Sequence, residues 1–107
     1  MFTHFVRFTT QLPKEEVRSI MEERAPRFRS EVAGLVQKYY GYDPESGAFC
    51  GCYIFDSEDS RQAFRQSELA RTISAAYQAE EMRMEAYEVL FPLYEEEPRL
   101  SQQARHT

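Results

Sequence analysis

The sequence predicts one α+β domain in which helices cover one face of a four-stranded antiparallel sheet. Two observations predict this fold class. Residues 35–55 have the composition of a β-hairpin, and on each side a helical pattern separates the hairpin from an outer strand pattern. The order β-α-β-β-α-β is that of the ferredoxin-like, or split βαβ, arrangement. Right-handed crossovers and short connections then place the first and third strands at the centre of the sheet, with the fourth and second at its edges.

The hairpin is the element that the sequence defines most clearly. Its strands, Leu35–Tyr42 and Phe49–Phe55, are rich in Tyr, Phe, Val, Ile and Cys, and residues 43–47 have the length and composition of a hairpin loop. Neither strand alternates cleanly between apolar and polar residues, so we expect both faces to meet protein or an enclosed cavity. A chain of 107 residues is short for covering both faces of such a sheet, which indicates a partner.

A strand and a helix are predicted before the hairpin. Residues 2–9 alternate with the period of a strand. Pro13 suits the first turn of a helix, and apolar residues at helical spacing extend this helix to about residue 30. Pro26 lies inside it and predicts a kink or an early loosening, because proline removes one backbone hydrogen bond.

Two short helices and an edge strand are predicted after the hairpin. Residues 56–59 supply side-chain acceptors and acids for a helix N-terminus. The apolar positions then change phase, which predicts a second helix with Ser67 as its cap. Residues 82–91 alternate weakly before Pro92, as in a strand at a sheet edge. The domain is thus predicted to span residues 1–94, and residues 95–107 are expected to form a polar, mobile tail.

Composition limits the functional classes. The formal net charge is -5 and no basic face is long enough to follow a phosphate backbone, so nucleic-acid binding is not expected. No apolar run approaches the roughly 20 residues that a membrane span needs, so no membrane association is expected. The N-terminus lacks the pattern of a signal peptide, from which we expect a cytoplasmic location.

Cys50 and Cys52 are the only cysteines and stand two residues apart on one predicted strand. Their backbones are too extended for an easy disulfide, so we expect free thiols that pack as small buried side chains. A metal site would need two further ligands, and the only histidines are His4 and His106, so no bound metal is expected.

The sheet face away from the helices is predicted to be too apolar for a monomer. Several aromatic residues would lie there, from the set Phe5, Tyr40, Tyr53, Phe55 and Tyr87. Such a patch is larger than soluble monomers usually expose. Two sheets facing each other across a twofold axis would cover it, so we expect a homodimer.

Two segments resemble a known family. Residues 33–40 (AGLVQKYY), followed by residues 50–57 (CGCYIFDS) and then by Ala63 and Phe64, resemble the mono-oxygenases of the YdhR type. These proteins belong to the dimeric α+β-barrel superfamily, which includes cofactor-free antibiotic-biosynthesis monooxygenases. The resemblance covers about residues 2–92.

The resemblance implies a homodimer whose two sheets enclose a barrel, with a pocket in each subunit between sheet and helices or along the barrel. It also implies an aromatic, phenolic small-molecule substrate that is oxidised by O₂ with no cofactor. The chain contains no Trp and no Asn, the residue types to which the best-described relatives assign catalytic roles, and Phe55 stands where a Trp is common.

Three residues are candidates for catalysis. Arg7 and Lys38 are cations inside strands, and on a shared barrel face they could stabilise an anionic substrate such as a phenolate. Alternatively they pair with Glu85 or Glu88 of the last strand, or lie exposed at an edge. His4 is the default general base because its unperturbed pKa is near neutrality, although its strand face suits a structural histidine under the helices.

Aromatic residues are the candidates for substrate binding. Tyr40 and Tyr53 could donate hydrogen bonds to a ligand and stack on its rings, or could instead pack across a dimer interface. Residues two apart on a strand share a face, so Tyr53 and Phe55 project together. Small and aliphatic groups suit the helix-covered face, which would place Cys52 and Ile54 under the helices and the aromatic pair on the barrel face.

The same alternation sorts the other candidates. Phe5 shares a face with Arg7, and Tyr40 shares a face with Lys38. If these groups line one cavity, it suits a planar aromatic ligand with a phenolic or carboxylate oxygen. The predicted substrate-binding set is Tyr40, Tyr53, Phe55, Phe5 and Tyr87.

Three functional classes stay open at this point. The first is an oxygenase without a cofactor that acts on an aromatic or polycyclic small molecule. The second is a non-catalytic binding or interaction module that uses the same cavity or dimer surface. The third is a haem- or dye-handling protein, for which His4 is the only credible axial ligand. An aromatic-lined void of a few hundred Å³ with convergent polar groups would favour the enzyme, and a fully packed face the interaction module.

Overall fold

The structure is a computed structural model and describes residues 1–95. In chain order its elements are β1 (Phe2–Thr10), α1 (Lys14–Glu31), β2 (Leu35–Tyr42), β3 (Phe49–Phe55), α2 (Glu58–Arg65), α3 (Glu68–Arg71), α4 (Ile73–Ala76) and β4 (Ala79–Glu88). The antiparallel strands are ordered β2-β3-β1-β4 with the helices on one face, which confirms the predicted ferredoxin-like fold. No helix in this range is long and apolar enough to cross a membrane. Residues 96–107, most of the predicted tail, lie outside the described range.

Most element boundaries agree with the predictions. Both hairpin strands have the predicted bounds. Ser67 caps α3 as predicted, since its hydroxyl accepts a hydrogen bond from the backbone N–H of Ala70 at 3.2 Å. α1 continues past Pro26 to Glu31, so of the two outcomes predicted there the early loosening is wrong and the kink stays a prediction. The separate turn of helix α4 was not predicted.

The last strand is shifted from its prediction. β4 covers Ala79–Glu88, whereas the sequence pattern indicated residues 82–91. Pairing with β1 decides the difference, since the ladder runs from Thr10 opposite Ala79 to Phe2 opposite Glu88. Beyond Glu88 one backbone hydrogen bond follows, from the N–H of Val89 to the carbonyl of Met1 at 2.9 Å. The predicted edge position of this strand is confirmed.

The largest correction concerns the aromatic residues of β3. Tyr53 and Phe55 point toward the helices and are 2% and 0% exposed, so the prediction that they line the barrel face is wrong. Cys52 and Ile54 lie on the other face and are half-buried. The rings of β3 face the helices because space has to be filled there. Only two side chains of α1 are fully buried, so large side chains from the sheet occupy the rest of the space between sheet and helix.

The sheet face without helices, called the open face below, is mixed in character. Phe5 and Tyr87 lie on it with ring centroids 6.1 Å apart. Arg7 is exposed there, directly opposite Arg83 in the register of β1 and β4. Like charges in opposite positions repel each other. Glu81 and Glu85 of β4 lie on the same face, opposite Thr9 and Phe5. The open face therefore combines aromatic rings with charges of both signs.

The cysteines lie on the open face. Both are free thiols, as predicted, but they are half-buried rather than packed under the helices. Burial and the neighbouring Cys50 raise the pKa of the Cys52 thiol. No group of three or more His, Cys, Asp or Glu side chains within residues 1–95 could hold a metal ion.

Candidate active site

A groove runs between α1 and the edge strand β2, on the helix side of the sheet. Its large lobe has a volume of about 440 Å³ and is lined in part by Lys14, Arg18, Met21, Glu22, Tyr42 and Phe49. Its small lobe has a volume of about 210 Å³ and is lined in part by Phe28, Leu35, Val36, Gln37 and Lys38. Ala25, Arg29 and Tyr40 line both lobes. Together the lobes have the size and the mixed apolar and polar lining of a small-molecule site.

The way α1 meets β2 creates this groove. Arg18, Glu22, Ala25 and Arg29 recur at helical spacing and form a face of α1 beside its buried stripe. The short side chain of Ala25 leaves space at the centre of the groove. Since β2 is an edge strand, no further strand of the sheet closes the groove.

Lys38 is the most unusual charged residue of the groove. Its Nζ lies 3.5 Å from the ring centroid of Phe28, 4.3 Å from that of Tyr40 and 4.4 Å from that of Tyr53. No carboxylate among the described residues pairs with it. Burial, followed by the positive charge of Arg24, lowers the pKa of Lys38 to about 7. The ring faces favour the ammonium form and oppose this shift. A substantial fraction of Lys38 is therefore a neutral amine near pH 7, which can accept a proton.

Two backbone features place Lys38 over the rings. A register shift between Leu35 and Gln37 sets Lys38 opposite Tyr53, on the helix side of the sheet. Gly51 then leaves space beside both side chains. A Cβ at Gly51 would lie 3.0 Å from Cε1 of Tyr53 and 3.4 Å from Cε of Lys38.

Arg24 is a second cation near Lys38. Its Nη2 donates a hydrogen bond to the carbonyl of Leu69 at 3.0 Å and lies 3.5 Å from Oγ1 of Thr72. Its buried Nε has no hydrogen-bond partner among the described residues. Arg24 thus ties α1 to α3 through a carbonyl rather than a carboxylate, and its uncompensated charge helps to lower the pKa of Lys38.

The two candidate tyrosines have different environments. Tyr40 is 39% exposed and lines both lobes, so it can contact a ligand directly. Burial raises the pKa of its phenol, and Arg29 partly offsets that shift. Tyr53 is buried beside Lys38 and stacks on Phe55, with ring centroids 6.0 Å apart. Burial raises the pKa of Tyr53 far above its usual value, so this residue supports the site as a neutral ring.

His4 is buried in the core under α2. It is 1% exposed, and its ring packs edge-on against Tyr53, Phe55 and Phe64. Arg61 donates toward Nδ1 across 3.2 Å, which fits a neutral imidazole with its proton on Nε2. Burial and then nearby arginine charges lower the pKa of His4 to about 4. The ring borders a cavity of about 200 Å³, which is too small for a haem. The haem-handling class therefore loses its candidate ligand.

The predicted site residues are divided between the two faces of the sheet. His4, Lys38, Tyr40, Tyr53 and Phe55 lie on the helix side, and Arg7, Phe5 and Tyr87 lie on the open face. Arg7 and Lys38 therefore do not converge on one cavity. Arg7 instead reaches the hairpin loop, where its Nη2 donates to Oγ of Ser46 at 3.4 Å. Neither Glu85 nor Glu88 forms an ion pair with it within the described part of the chain.

Sequence reasoning missed the contribution of α1 to the groove. Phe28, Arg24 and Arg29 were not among the predicted site residues, yet they surround Lys38 or line both lobes. One signal was available, because Arg24 stands on the apolar stripe of α1 together with Val17 and Phe28. A cation on a stripe that packs inward needs either a partner or a polar cavity.

Residues 4–96 match the family model described as "Putative mono-oxygenase ydhR". The chain belongs to this mono-oxygenase family. Among solved structures, a putative antibiotic biosynthesis monooxygenase from Deinococcus radiodurans matches with a TM-score of 0.71 at 14% identity, covering 88% of this chain and 97% of that one. SnoaB, a cofactor-independent oxygenase from Streptomyces nogalater, gives the same values. Rv0793 from Mycobacterium tuberculosis matches with a TM-score of 0.68 at 12% identity, over 87% and 98% of the two chains. Identities this low support the shared fold alone. No curated protein matches the sequence.

Proposed function

We propose that this chain is a mono-oxygenase that oxidises a hydroxylated aromatic molecule with O₂ in the groove between α1 and β2. The observation that carries the proposal is Lys38, an amine with a pKa of about 7 that lies over three aromatic rings at the small lobe. Family membership supports the reaction class. The similarity to a cofactor-independent oxygenase supports a reaction in which the substrate itself reduces O₂.

Lys38 acts as the general base in this proposal. Its neutral amine takes the proton of the phenolic hydroxyl, and the resulting ammonium stays beside the phenolate as a counter-ion. The phenolate is far more electron-rich than the phenol and transfers electrons to O₂. Tyr40 lines both lobes and can stack on the substrate or donate a hydrogen bond to its oxygen.

The proposed reaction balances without an external reductant. A phenol and O₂ give a quinone and water: a C–O bond forms at the ring carbon opposite the hydroxyl, and the O–O bond breaks. The hydrogen of that carbon and the hydroxyl hydrogen leave with the second oxygen atom as water. The substrate supplies all four electrons that reduce O₂. One oxygen atom of O₂ enters the product, and the other leaves as water.

An oxygen electrode tests the proposal on a panel of hydroxylated naphthalenes and anthracenes. We expect oxygen uptake that falls at least about a hundredfold in Lys38→Met, because general-base catalysis contributes about that much. Arg7→Gln is the matched control, since it removes a strand cation from the open face and should retain activity. Labelled O₂ should place one oxygen atom in the product.

The opposite result for these two variants would mean that the active site is not in the groove. Loss of turnover in Arg7→Gln with full activity in Lys38→Met would place the reaction on the open face. Binding without oxygen uptake for any member of the panel would keep the groove as a ligand site and reject the oxygenase.

A further inference from the structure

The cations of the groove differ in how they are paired. Arg18 is committed to Glu22, with Nε 3.1 Å from the carboxylate oxygen Oε2. Lys14 and Arg29 have no carboxylate partner within the described residues. Lys38 aside, the groove thus presents two cations without a carboxylate partner, in a chain whose formal net charge is -5. It favours ligands that carry negative charge.

These two cations lie far apart in the groove, since Arg29 lines both lobes and Lys14 lines only the large one. They are both on α1, and their separation of 15 residues corresponds to about 22 Å along the helix axis. In the large lobe the Nζ of Lys14 is 4.4 Å from the ring centroid of Tyr42. One small anion cannot bind both side chains, so their roles can be separated experimentally.

Arg29 is the cation that adjoins the proposed reaction site. It lines both lobes together with Tyr40, and Lys38 lines the small lobe. Its charge acts on the Tyr40 phenol, which indicates that the two groups are close. A guanidinium also presents a planar pair of donors that matches a carboxylate.

We propose that Arg29 determines substrate specificity by binding a carboxylate on the aromatic substrate, next to the hydroxyl group that Lys38 deprotonates. The substrate class is then a hydroxylated aromatic carboxylate rather than a neutral phenol. This assignment rests on the proposed function for the place of the hydroxyl group. The carboxylate contact itself is a matter of binding and can be measured without any reaction.

Anaerobic calorimetry with two probes provides the test. The probes are 1-hydroxy-2-naphthoate and 1-naphthol, which share the ring system and the hydroxyl but differ in the carboxylate, and both carry a hydrogen on the carbon opposite the hydroxyl. We expect the carboxylate to improve affinity by about fivefold or more, as for a solvent-accessible ion pair with good geometry. Arg29→Gln should remove that preference and leave the affinity for 1-naphthol nearly unchanged. Arg29→Lys should retain part of it.

Lys14→Gln is the matched control, because it removes the same charge from the far end of the same helix. It should keep the preference. An equal loss in Lys14→Gln and Arg29→Gln would show general electrostatic attraction and overturn the assignment, as would equal affinities of the two probes or no binding of either. A preserved carboxylate preference without oxygen uptake under air would keep Arg29's role and reject only the oxygenase.

Discussion

Gly34 stands at a corner where β2 begins and α2 is anchored. Its φ of +82° is in the left-handed region, and its carbonyl accepts a hydrogen bond from the N–H of Asp56 at 2.8 Å. Oγ of Ser60 donates to Oδ1 of Asp56 at 2.6 Å in the same corner. Two parts of the family resemblance, Gly34 with Leu35 and Asp56 with Ser57, therefore meet in space. Their role there is to build the fold rather than to line the groove.

Replacing this glycine should be far more damaging than replacing another glycine with the same backbone. A Cβ at Gly34 would lie 2.6 Å from Oδ1 of Asp56, whereas a Cβ at Gly47, with φ of +80°, would meet nothing within 4 Å. We expect Gly47→Ala to lower the free energy of unfolding by about 1–2 kcal/mol, from backbone strain alone. Gly34→Ala should lower it by more than about 3 kcal/mol, because steric overlap adds to that strain. Urea denaturation measures both, and equal losses would show that the corner has room for a side chain.

The lowered pKa of Lys38 makes stability depend on pH. When folded, Lys38 binds its proton with a pKa of about 7, compared with 10.5 for the ordinary side chain. Between these values the unfolded chain holds more protons, so the free energy of unfolding rises with pH. The slope from this residue is at most about 1.4 kcal/mol per pH unit. Below about pH 7 the full penalty for the buried charge is present.

Lys38→Met should remove this dependence. From pH 7 to pH 9 we expect the wild-type chain to gain about 2 kcal/mol relative to the variant, measured by urea denaturation at several pH values. This range lies below the titration of the buried tyrosines, whose contribution the comparison with the variant also cancels. Parallel pH profiles for the two chains would mean that Lys38 remains a hydrated ammonium ion and could not serve as a base near neutrality.

At the scale of elements, the sequence pattern predicted the two hairpin strands but not which of their faces points toward the helices. The bounds of β2 and β3 follow from their composition and from the loop between them. Alternation correctly grouped Tyr53 with Phe55 and Lys38 with Tyr40. It could not say which group faced the helices, because both faces of β3 are apolar and hydropathy does not distinguish them.

The position of the groove depends on information that single strands do not carry. Which face of a strand points toward the helices depends on the volume that α1 leaves unfilled. That volume depends in turn on Ala25 and on the distance between helix and sheet. Lys38 and Tyr40, which line the groove, were predicted as candidates from sequence because they are a cation and a ring on one strand. Arg29 was missed, since an arginine on an exposed helix face looks like any solvated charge.

The short helices α3 and α4 should depend on a single cap. Ser67 accepts a hydrogen bond from the N–H of Ala70 at 3.2 Å and donates one to the carbonyl of Phe64 at 2.6 Å. This cap orients α3, so that Leu69 and Ile73 are buried against the sheet. We expect Ser67→Ala to lower the free energy of unfolding by about 1 kcal/mol. Ser19→Ala, on an exposed position of α1, should change it by less than about 0.5 kcal/mol. Equal effects in thermal or urea unfolding would assign no special role to the cap.

At the scale of the whole molecule, apolar side chains are still exposed after folding. Phe5, Ile54 and both thiols are only half-buried on the open face, where Tyr87 is 55% exposed. The chain that follows β4 adds Leu90 and Phe91, which are 86% and 77% exposed. This segment borders the open face, because Ile54 and residues 89–95 line one cleft. A monomer would leave this continuous apolar area in water.

We predict that two copies of the chain pair through their open faces. A twofold arrangement would bring Phe5 and Ile54 against the same patch of a second copy and bury the apolar area of both sheets. Sedimentation or light scattering at micromolar concentration should then give about twice the chain mass of 12.6 kDa. Phe5→Glu should shift the protein to the monomer, because the dimer would bury two unpaired charges. Met84→Glu is the matched control, because it also replaces an apolar side chain by a glutamate. Met84 is opposite the core residue Val6 in the ladder, so its side chain lies on the helix side of the sheet. This variant should leave the dimer intact. A monomeric wild-type chain, or dissociation by both variants alike, would show that the open face is not where two copies meet.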